Sequence, residues 1–161
     1  MVDDPKQNSS QRIIYAEDIM TEDVQVIDQK VSIVEVAHLM LRIRVSAYPV
    51  VDDNKKVVGI VTLTDMFKLL NNIIKENRLA SYTSEQEKQN VLHQQISQWR
   101  DSPVSRIMSG QVVFISPRTP IYEIVEKVAT LNIHTFPVID NGQLVGVIGR
   151  HDVLNATFMY A

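Results

Sequence analysis

The sequence predicts an α/β fold in which a β-α-β-β-α unit occurs twice in tandem, and three observations support this prediction. The chain matches itself: Ile19-Met20 falls on Ile107-Met108 and Pro49 on Pro137, each 88 positions apart. In each copy, segments whose apolar residues have the spacing of a strand are followed by segments whose apolar residues have the spacing of a helix. Each copy also has a polar turn between two apolar runs, and the second turn, Asn141-Gly142, is typical of a β-hairpin.

Each unit opens with a short β-branched run that is followed by a helix. The runs Val24–Ile27 and Val112–Ile115 predict strands, and Ser32 and Pro120 stand where a helix would begin. Apolar residues then recur at helical spacing, and we expect them to face the core. In the first helix they are Ile33, Val36, Ala37, Met40 and Ile43, and in the second they are Ile121, Ile124, Val125, Val128 and Leu131.

A hairpin and a second helix complete each unit. The predicted hairpin strands are Tyr48–Val51 with Val57–Val61, and Phe136–Ile139 with Leu144–Ile148. The offset falls to 87 after the turn, so that Asp65 matches Asp152. One residue is lost within the turn, a change that leaves both strands intact. We expect the second helix to open near Thr64 in the first copy and near His151 in the second.

These elements predict four segments: a flexible amino-terminal tail (1–14), the first repeat (15–75), a helical connector (76–102) and the second repeat (103–161). The stretch Met1–Arg12 is polar and lacks an apolar run. It therefore predicts neither a signal peptide nor a membrane anchor, and we expect a cytoplasmic protein that does not bind membranes.

The connector has the pattern of one amphipathic helix. Ser84 and Glu87 have the spacing of a capping box, and Leu92, Ile96 and Trp99 form a narrow stripe at helical spacing. The stripe either packs on the adjacent repeat, which is ordinary for a surface helix, or binds a partner protein. Trp99 keeps the second interpretation open.

Composition excludes several classes of function. The chain has no cysteine, which removes disulfides, thiolate metal sites and cysteine nucleophiles. A formal net charge of -3 gives no general attraction to nucleic acid, so no nucleic-acid partner is expected. The four histidines are scattered, and there is no glycine-rich phosphate loop and no metal-ligand spacing. We therefore expect neither an enzyme nor a metal site nor a catalytic cofactor.

Equivalent stretches in the two copies resemble a known protein family. Arg44–Asp52 followed by Val57–Asp65 looks like a cystathionine-β-synthase (CBS) domain, and the second copy repeats the pattern. The openings Asp18–Thr21 and Ser105–Ser109 are also typical of that family. The first copy is notably similar to repeats of the γ subunit of AMP-activated protein kinase.

The resemblance implies a fold and a ligand class. In the family, two tandem CBS repeats pack through their sheets into a module with approximate two-fold symmetry, called a Bateman module, which has two clefts. Many members bind AMP, ADP, ATP or S-adenosylmethionine there, and modules commonly form homodimers. The sequence is thus expected to encode a stand-alone, non-catalytic sensor of an adenosine nucleotide. It would signal through conformation or dimer geometry to an effector protein whose identity the sequence does not indicate.

Thr62 and Asp65 are the first candidate site residues. A carboxylate in the first helical turn can accept both ribose hydroxyls, and a threonine hydroxyl with free helix amides can reach phosphate oxygens. The family's ribose signature is a Ser or Thr three residues before an Asp, which these positions match. The alternative is that Thr64 and Asp65 only cap a helix, since both residue types are common there. The resemblance implies that Thr62 and Asp65 face Ser109, Phe114 and Ile133 across the cleft.

The second candidate cleft departs from the signature. Asp152 is kept, but Gly149 replaces the hydroxyl residue. The resemblance implies that Asp152 faces Thr21, Val26 and Val45, with His134, Thr135, Arg150 and His151 near the phosphate. We expect a phosphorylated ligand in this cleft, because Phe114 could fill the adenine slot of the other one. The competing hypothesis is a dimeric interaction module that keeps the fold but binds no ligand.

Overall fold

The computed structural model describes residues 12–159, so most of the predicted tail lies outside the described residues. The elements alternate as expected for a repeated α/β unit. They are α1 (Ala16–Ile19), β1 (Ile27–Asp28), α2 (Ile33–Ile43), β2 (Ala47–Val51), β3 (Val57–Thr62), α3 (Leu63–Glu76), α4 (Glu85–Trp99), α5 (Ile121–Leu131), β4 (Thr135–Asp140), β5 (Gln143–Gly149) and α6 (Arg150–Met159). Short 3₁₀ turns lie at Leu79–Ser81 and Val104–Arg106.

The predicted order is confirmed in the first repeat, where β1 pairs in parallel with β2 and β2 pairs antiparallel with β3. The hairpin of β4 and β5 is confirmed in the second repeat, and its turn has φ values of 48° at Asn141 and 81° at Gly142. Positive φ at both central residues suits this dipeptide and matches the twist of the flanking strands.

The first strand of each unit is shorter than predicted. Val24–Ile27 is replaced by the two-residue strand β1, and Val112–Ile115 by a single parallel bridge between Ile115 and Val138. The reason is that this part of the chain crosses from one repeat to the other. Thr21 is bonded to Val147 of β5, whereas Ile27 lies on β2, so the residues between them span the gap.

The second copy makes the reciprocal crossing. Ser109 exchanges two backbone hydrogen bonds of 2.9 and 3.0 Å with Ile60 of β3, and Ile115 then joins β4. As a result, Ala16 is buried in the core of the second repeat and Val104 in the core of the first. Each core is completed by the opening segment of the other copy, as an approximate two-fold relation requires.

Gly59 and Gly146 are equivalent positions of the two repeats, and each lies where a crossing segment contacts a sheet. A Cβ atom at Gly146 would come within 2.5 Å of Met20 Sδ, and one at Gly59 within 2.4 Å of Met108 Sδ. The repeated Met and Gly positions are therefore one packing feature, in which the strand has no side chain so that the incoming methionine can lie against it.

Parts of the predicted core faces are exposed. Ile33, Val36, Met40 and Ile124 are buried as expected, whereas Ile43, Val125 and Leu131 are 41%, 41% and 50% exposed. Each predicted stripe is wider than the surface that one sheet covers, so its flank remains uncovered within a single chain.

The connector forms α4 as predicted. Ser84 Oγ accepts a hydrogen bond from the Glu87 backbone at 3.4 Å. The stripe of Leu92, Ile96 and Trp99 is half-buried, and α4 packs against α3. Arg106 lies over the Trp99 ring at 4.3 Å from its centroid, which holds the end of the connector to the next segment. These contacts favour packing on the adjacent repeat over the partner-binding interpretation.

Candidate functional site

A cavity of about 790 Å³ lies between the two repeats, and the helices α3 and α6 both begin at its wall. The first repeat lines it with Arg44, Ser46, Ala47, Ile60, Thr62, Leu63, Thr64, Asp65 and Lys68. The second lines it with Asn132, Ile133, His134, Thr135, Gly149, Arg150 and His151, and the crossing segment adds Ser109, Gln111, Val112 and Val113. The cavity is large enough for a nucleotide-sized ligand.

Asp65 is the one acidic residue of this lining, and it is 8% exposed. Its Oδ2 accepts hydrogen bonds from the Thr62 backbone at 2.8 Å and from Thr62 Oγ1 at 2.7 Å, while Asp65 N donates to Thr62 Oγ1 at 3.2 Å. This is a capping box at the start of α3. The cap uses Oδ2, whereas Oδ1 faces Lys68 Nζ at 3.8 Å. Capping therefore leaves Oδ1 free to accept hydrogen bonds from a ligand.

Asp152 forms only one of the two parts of a capping box at the start of α6. The Gly149 backbone donates to Asp152 Oδ2 at 2.7 Å, but glycine has no hydroxyl to complete the box. Asp152 is half-buried and does not line the cavity. Thr21, which was expected beside Asp152, is paired with Val147 of β5.

The structure groups the candidate residues differently from the prediction. His134, Thr135, Arg150 and His151 were expected in the cleft of Asp152 but line the same cavity as Thr62, Asp65, Ser109 and Ile133. Val26 is 39% exposed and Val45 packs on the core of the first repeat, so neither reaches the cavity. The difference arises because α3 and α6 start on opposite sides of one gap, and residues around both starts reach into it.

Phe114 does not crowd the cavity. Its side chain is 44% exposed and does not contribute to the lining, whereas Val113 does and Ile115 is buried in the core of the second repeat. The reason for preferring the Asp152 cleft is thereby removed.

Positive charge dominates the cavity. Arg44, Lys68 and Arg150 give it three cationic side chains against the single carboxylate of Asp65, and His134 and His151 also line it. Among the ion pairs of residues 12–159, only the one between Lys68 and Asp65 lies here, and none involves Arg44 or Arg150. Cations collected in a concave site without matching carboxylates favour an anionic ligand.

Several lining residues were missed at the sequence level, among them Arg44, Ser46, Lys68, Gln111 and Asn132. One signal was present for two of them. Arg44 and Asn132 are 88 positions apart and therefore equivalent in the repeat, and each directly follows the last residue of a predicted helical stripe. Ser46 lies in the stretch that resembles the family, whereas Lys68 and Gln111 lie outside those stretches and are brought to the cavity by the packing of the repeats.

The described part of the chain shows neither a metal-ligand cluster nor a membrane-spanning helix. Within residues 12–159 no three histidine, aspartate or glutamate side chains come together as metal ligands. In the same range, no helix combines the length and apolar character needed to cross a bilayer.

Comparison with known proteins places this geometry in a family. The model of the CBS domain matches residues 16–72 and again 104–158. Homoserine O-acetyltransferase of Methanohalobium evestigatum is 28% identical over 140 residues, which make up 86% of this chain but 23% of that protein. The chain thus spans about a quarter of the length of such relatives.

Solved structures show the same fold. CBSX2 in complex with AMP has a TM-score of 0.68 at 22% identity, covering 90% of this chain and 96% of that one. The CBS domain pair of MJ0100, solved with 5-methylthioadenosine and S-adenosyl-L-methionine, has a TM-score of 0.69 at 20% identity and covers 93% and 100%. Since the two matches of the family model together span more than half of the residues, the chain belongs to the CBS domain family and contains two tandem copies of the domain.

Proposed function

We propose that the chain is a regulatory, non-catalytic module that binds a phosphorylated adenosine compound in the cavity between its repeats. The observation that carries the proposal is the combination, in one cavity, of a ribose-type carboxylate with two arginines, Arg44 and Arg150, that form no ion pair within residues 12–159. The adenosine class comes from structural relatives, which were solved with AMP or with S-adenosylmethionine and methylthioadenosine. The charge of this cavity favours phosphate over a sulfonium cation.

A binding arrangement follows from the positions of these groups. Oδ1 of Asp65 accepts the ribose hydroxyls, while Oδ2 remains in the capping box. The phosphates extend towards Arg150, His151 and His134, where guanidinium and imidazole groups donate charge-assisted hydrogen bonds. The apolar part of the lining, which includes Ile60, Val112, Val113 and Ile133, is left for the adenine ring.

Titration calorimetry with AMP, ADP, ATP, S-adenosylmethionine, methylthioadenosine and adenosine tests the proposal. We expect the phosphorylated compounds to bind most tightly and their affinity to fall as salt is raised, since binding neutralises charge. Binding to the folded state alone would raise stability by about 2.7 kcal/mol at a ligand concentration a hundredfold above the Kd. Equal or tighter binding of S-adenosylmethionine would contradict the preference for phosphate, and no binding by any compound would contradict the sensor function.

A ligand-free interaction module remains the second candidate, because the helices present uncovered apolar side chains. Phe67 on α3 and Leu154 on α6 occupy equivalent positions of the two repeats and are 67% and 54% exposed. Ile74 and Phe158 on the same helices are 40% and 75% exposed. The calorimetric experiment separates the two candidates, because an interaction module with unused cavities would give no heat with any nucleotide.

These helix faces also support a homodimer under either candidate function. Exposed apolar residues at symmetric positions fit an interface that is self-complementary between two copies. We expect the double variant Phe67→Ser/Leu154→Ser to shift the protein from dimer to monomer in light scattering at micromolar concentration. Tyr82→Ser, at an exposed aromatic residue of the connector, serves as the control and should stay dimeric. A wild-type monomer, or a dimer that survives the double variant, would contradict this interface.

A further inference from the structure

Arg44 lines the cavity in a backbone conformation that disfavours arginine. It follows the last residue of α2 with φ 58° and ψ 35°, in the left-handed region. Residues with a Cβ atom seldom adopt this conformation, and asparagine does so more readily than a long side chain. The equivalent residue in the second repeat is Asn132, with φ 52° and ψ 34°, which lines the same cavity. Local structure alone therefore favours asparagine at both positions.

Arg44 has no ion-pair partner within the part of the chain that the structure describes. It is also exposed. The cations Lys68 and Arg150 line the same cavity, so that Arg44 increases an existing excess of positive charge. Its one favourable local interaction is with the negative end of the α2 dipole, which is worth a few tenths of a kcal/mol to about 1 kcal/mol at an exposed site.

We propose that Arg44 determines ligand specificity, by selecting phosphorylated adenosine compounds over uncharged ones in the inter-repeat cavity. This inference rests on the proposed function, because it assumes that the cavity holds an adenosine compound. A guanidinium at the rim donates charge-assisted hydrogen bonds to phosphate oxygens and has no comparable interaction with the hydroxyl of adenosine. Binding of the anion also relieves the repulsion between Arg44 and the other cations of the cavity.

The test compares the affinities for ATP and adenosine in wild type and in Arg44→Asn. Asparagine suits the left-handed backbone, which offsets the lost interaction with the helix dipole, so the variant should fold and melt close to wild type. We expect ATP binding to weaken about tenfold, as for loss of a charge-assisted hydrogen bond, while the Kd for adenosine changes less than about twofold. The salt dependence of ATP binding should also become shallower.

Lys55→Asn is the matched control. Lys55 also has a positive φ of 63° and carries the same charge, but it lies in the turn between β2 and β3 and does not line the cavity. Lys55→Asn should leave the ratio of the affinities for ATP and adenosine unchanged. Arg44→Lys should retain most of the wild-type preference for ATP. If wild type prefers ATP and Arg44→Asn keeps that preference, the role of Arg44 is refuted and the proposed function stands. If wild type binds neither compound, both are refuted.

Discussion

Replacing Asp65 by alanine is expected to weaken binding of an adenosine nucleotide roughly ten- to a hundredfold, because it deletes charge-assisted hydrogen bonds worth about 1.5 to 3 kcal/mol. The carboxylate is the one acidic group of the cavity, and its Oδ1 is not used by the capping box. Adenosine and ATP should be affected to a similar degree, since both present the same ribose. This uniform loss distinguishes Asp65 from Arg44, whose replacement should act on phosphorylated ligands alone.

Asp152→Ala is the control for Asp65→Ala. Asp152 caps the equivalent helix by accepting a 2.7 Å hydrogen bond from Gly149, but it does not line the cavity. Both variants should lose stability in thermal or chemical unfolding, because each removes a carboxylate that accepts a backbone hydrogen bond at the start of a helix. Calorimetry should show lost affinity for Asp65→Ala only. Full affinity in a folded Asp65→Ala protein would remove the cavity assignment, and lost affinity in Asp152→Ala would restore the second cleft.

Gly146→Ala is expected to destabilise the fold by about 1 to 3 kcal/mol through overpacking. The added Cβ would lie 2.5 Å from Met20 Sδ, 2.9 Å from its Cγ and 3.1 Å from its Cβ. The sulfur can move, but the Met20 Cβ atom is fixed by the backbone, so the segment itself must shift away from β5. The melting temperature should fall by roughly 2 to 4 °C for each kcal/mol in a chain of this size.

Gly110→Ala provides the control for this packing effect, since a Cβ atom there would have no neighbour within 4 Å. It should leave the melting temperature within a degree or two of wild type. The double variant Met20→Ala/Gly146→Ala should lose less unfolding free energy than the two single variants lose together, because alanine at position 20 removes the two closest contacts, those with Sδ and Cγ. Additive losses in the pair would show that the methionine does not limit the space at this glycine.

The element order and the chemistry of most candidate residues were predictable from the chain. The self-match places the two units, and Ser32, Thr62 and the Asn141-Gly142 turn mark element boundaries through local rules of capping and turn formation. These signals depend on neighbours within a few residues, and such neighbours are present in any conformation of the chain. For the same reason, a capping role for Asp65 was recognisable before its surroundings were known, although the capping partner is Thr62 and not the predicted Thr64.

The partners across the cavity depend instead on how the repeats are joined. Thr21 and Ser109 bond to strands of the opposite copies, and the crossing segments therefore shorten the predicted first strands and turn Phe114 outward. The same arrangement brings His134 and Arg150 to the cavity that Asp65 lines. Local patterns carry no information about which copy a segment joins, because that choice depends on burying Ala16 and Val104 in cores whose other buried residues are at least about forty positions away along the chain. Local sequence order thus determines the repeat and its capping chemistry, whereas the cation-rich cavity between the repeats results from long-range packing.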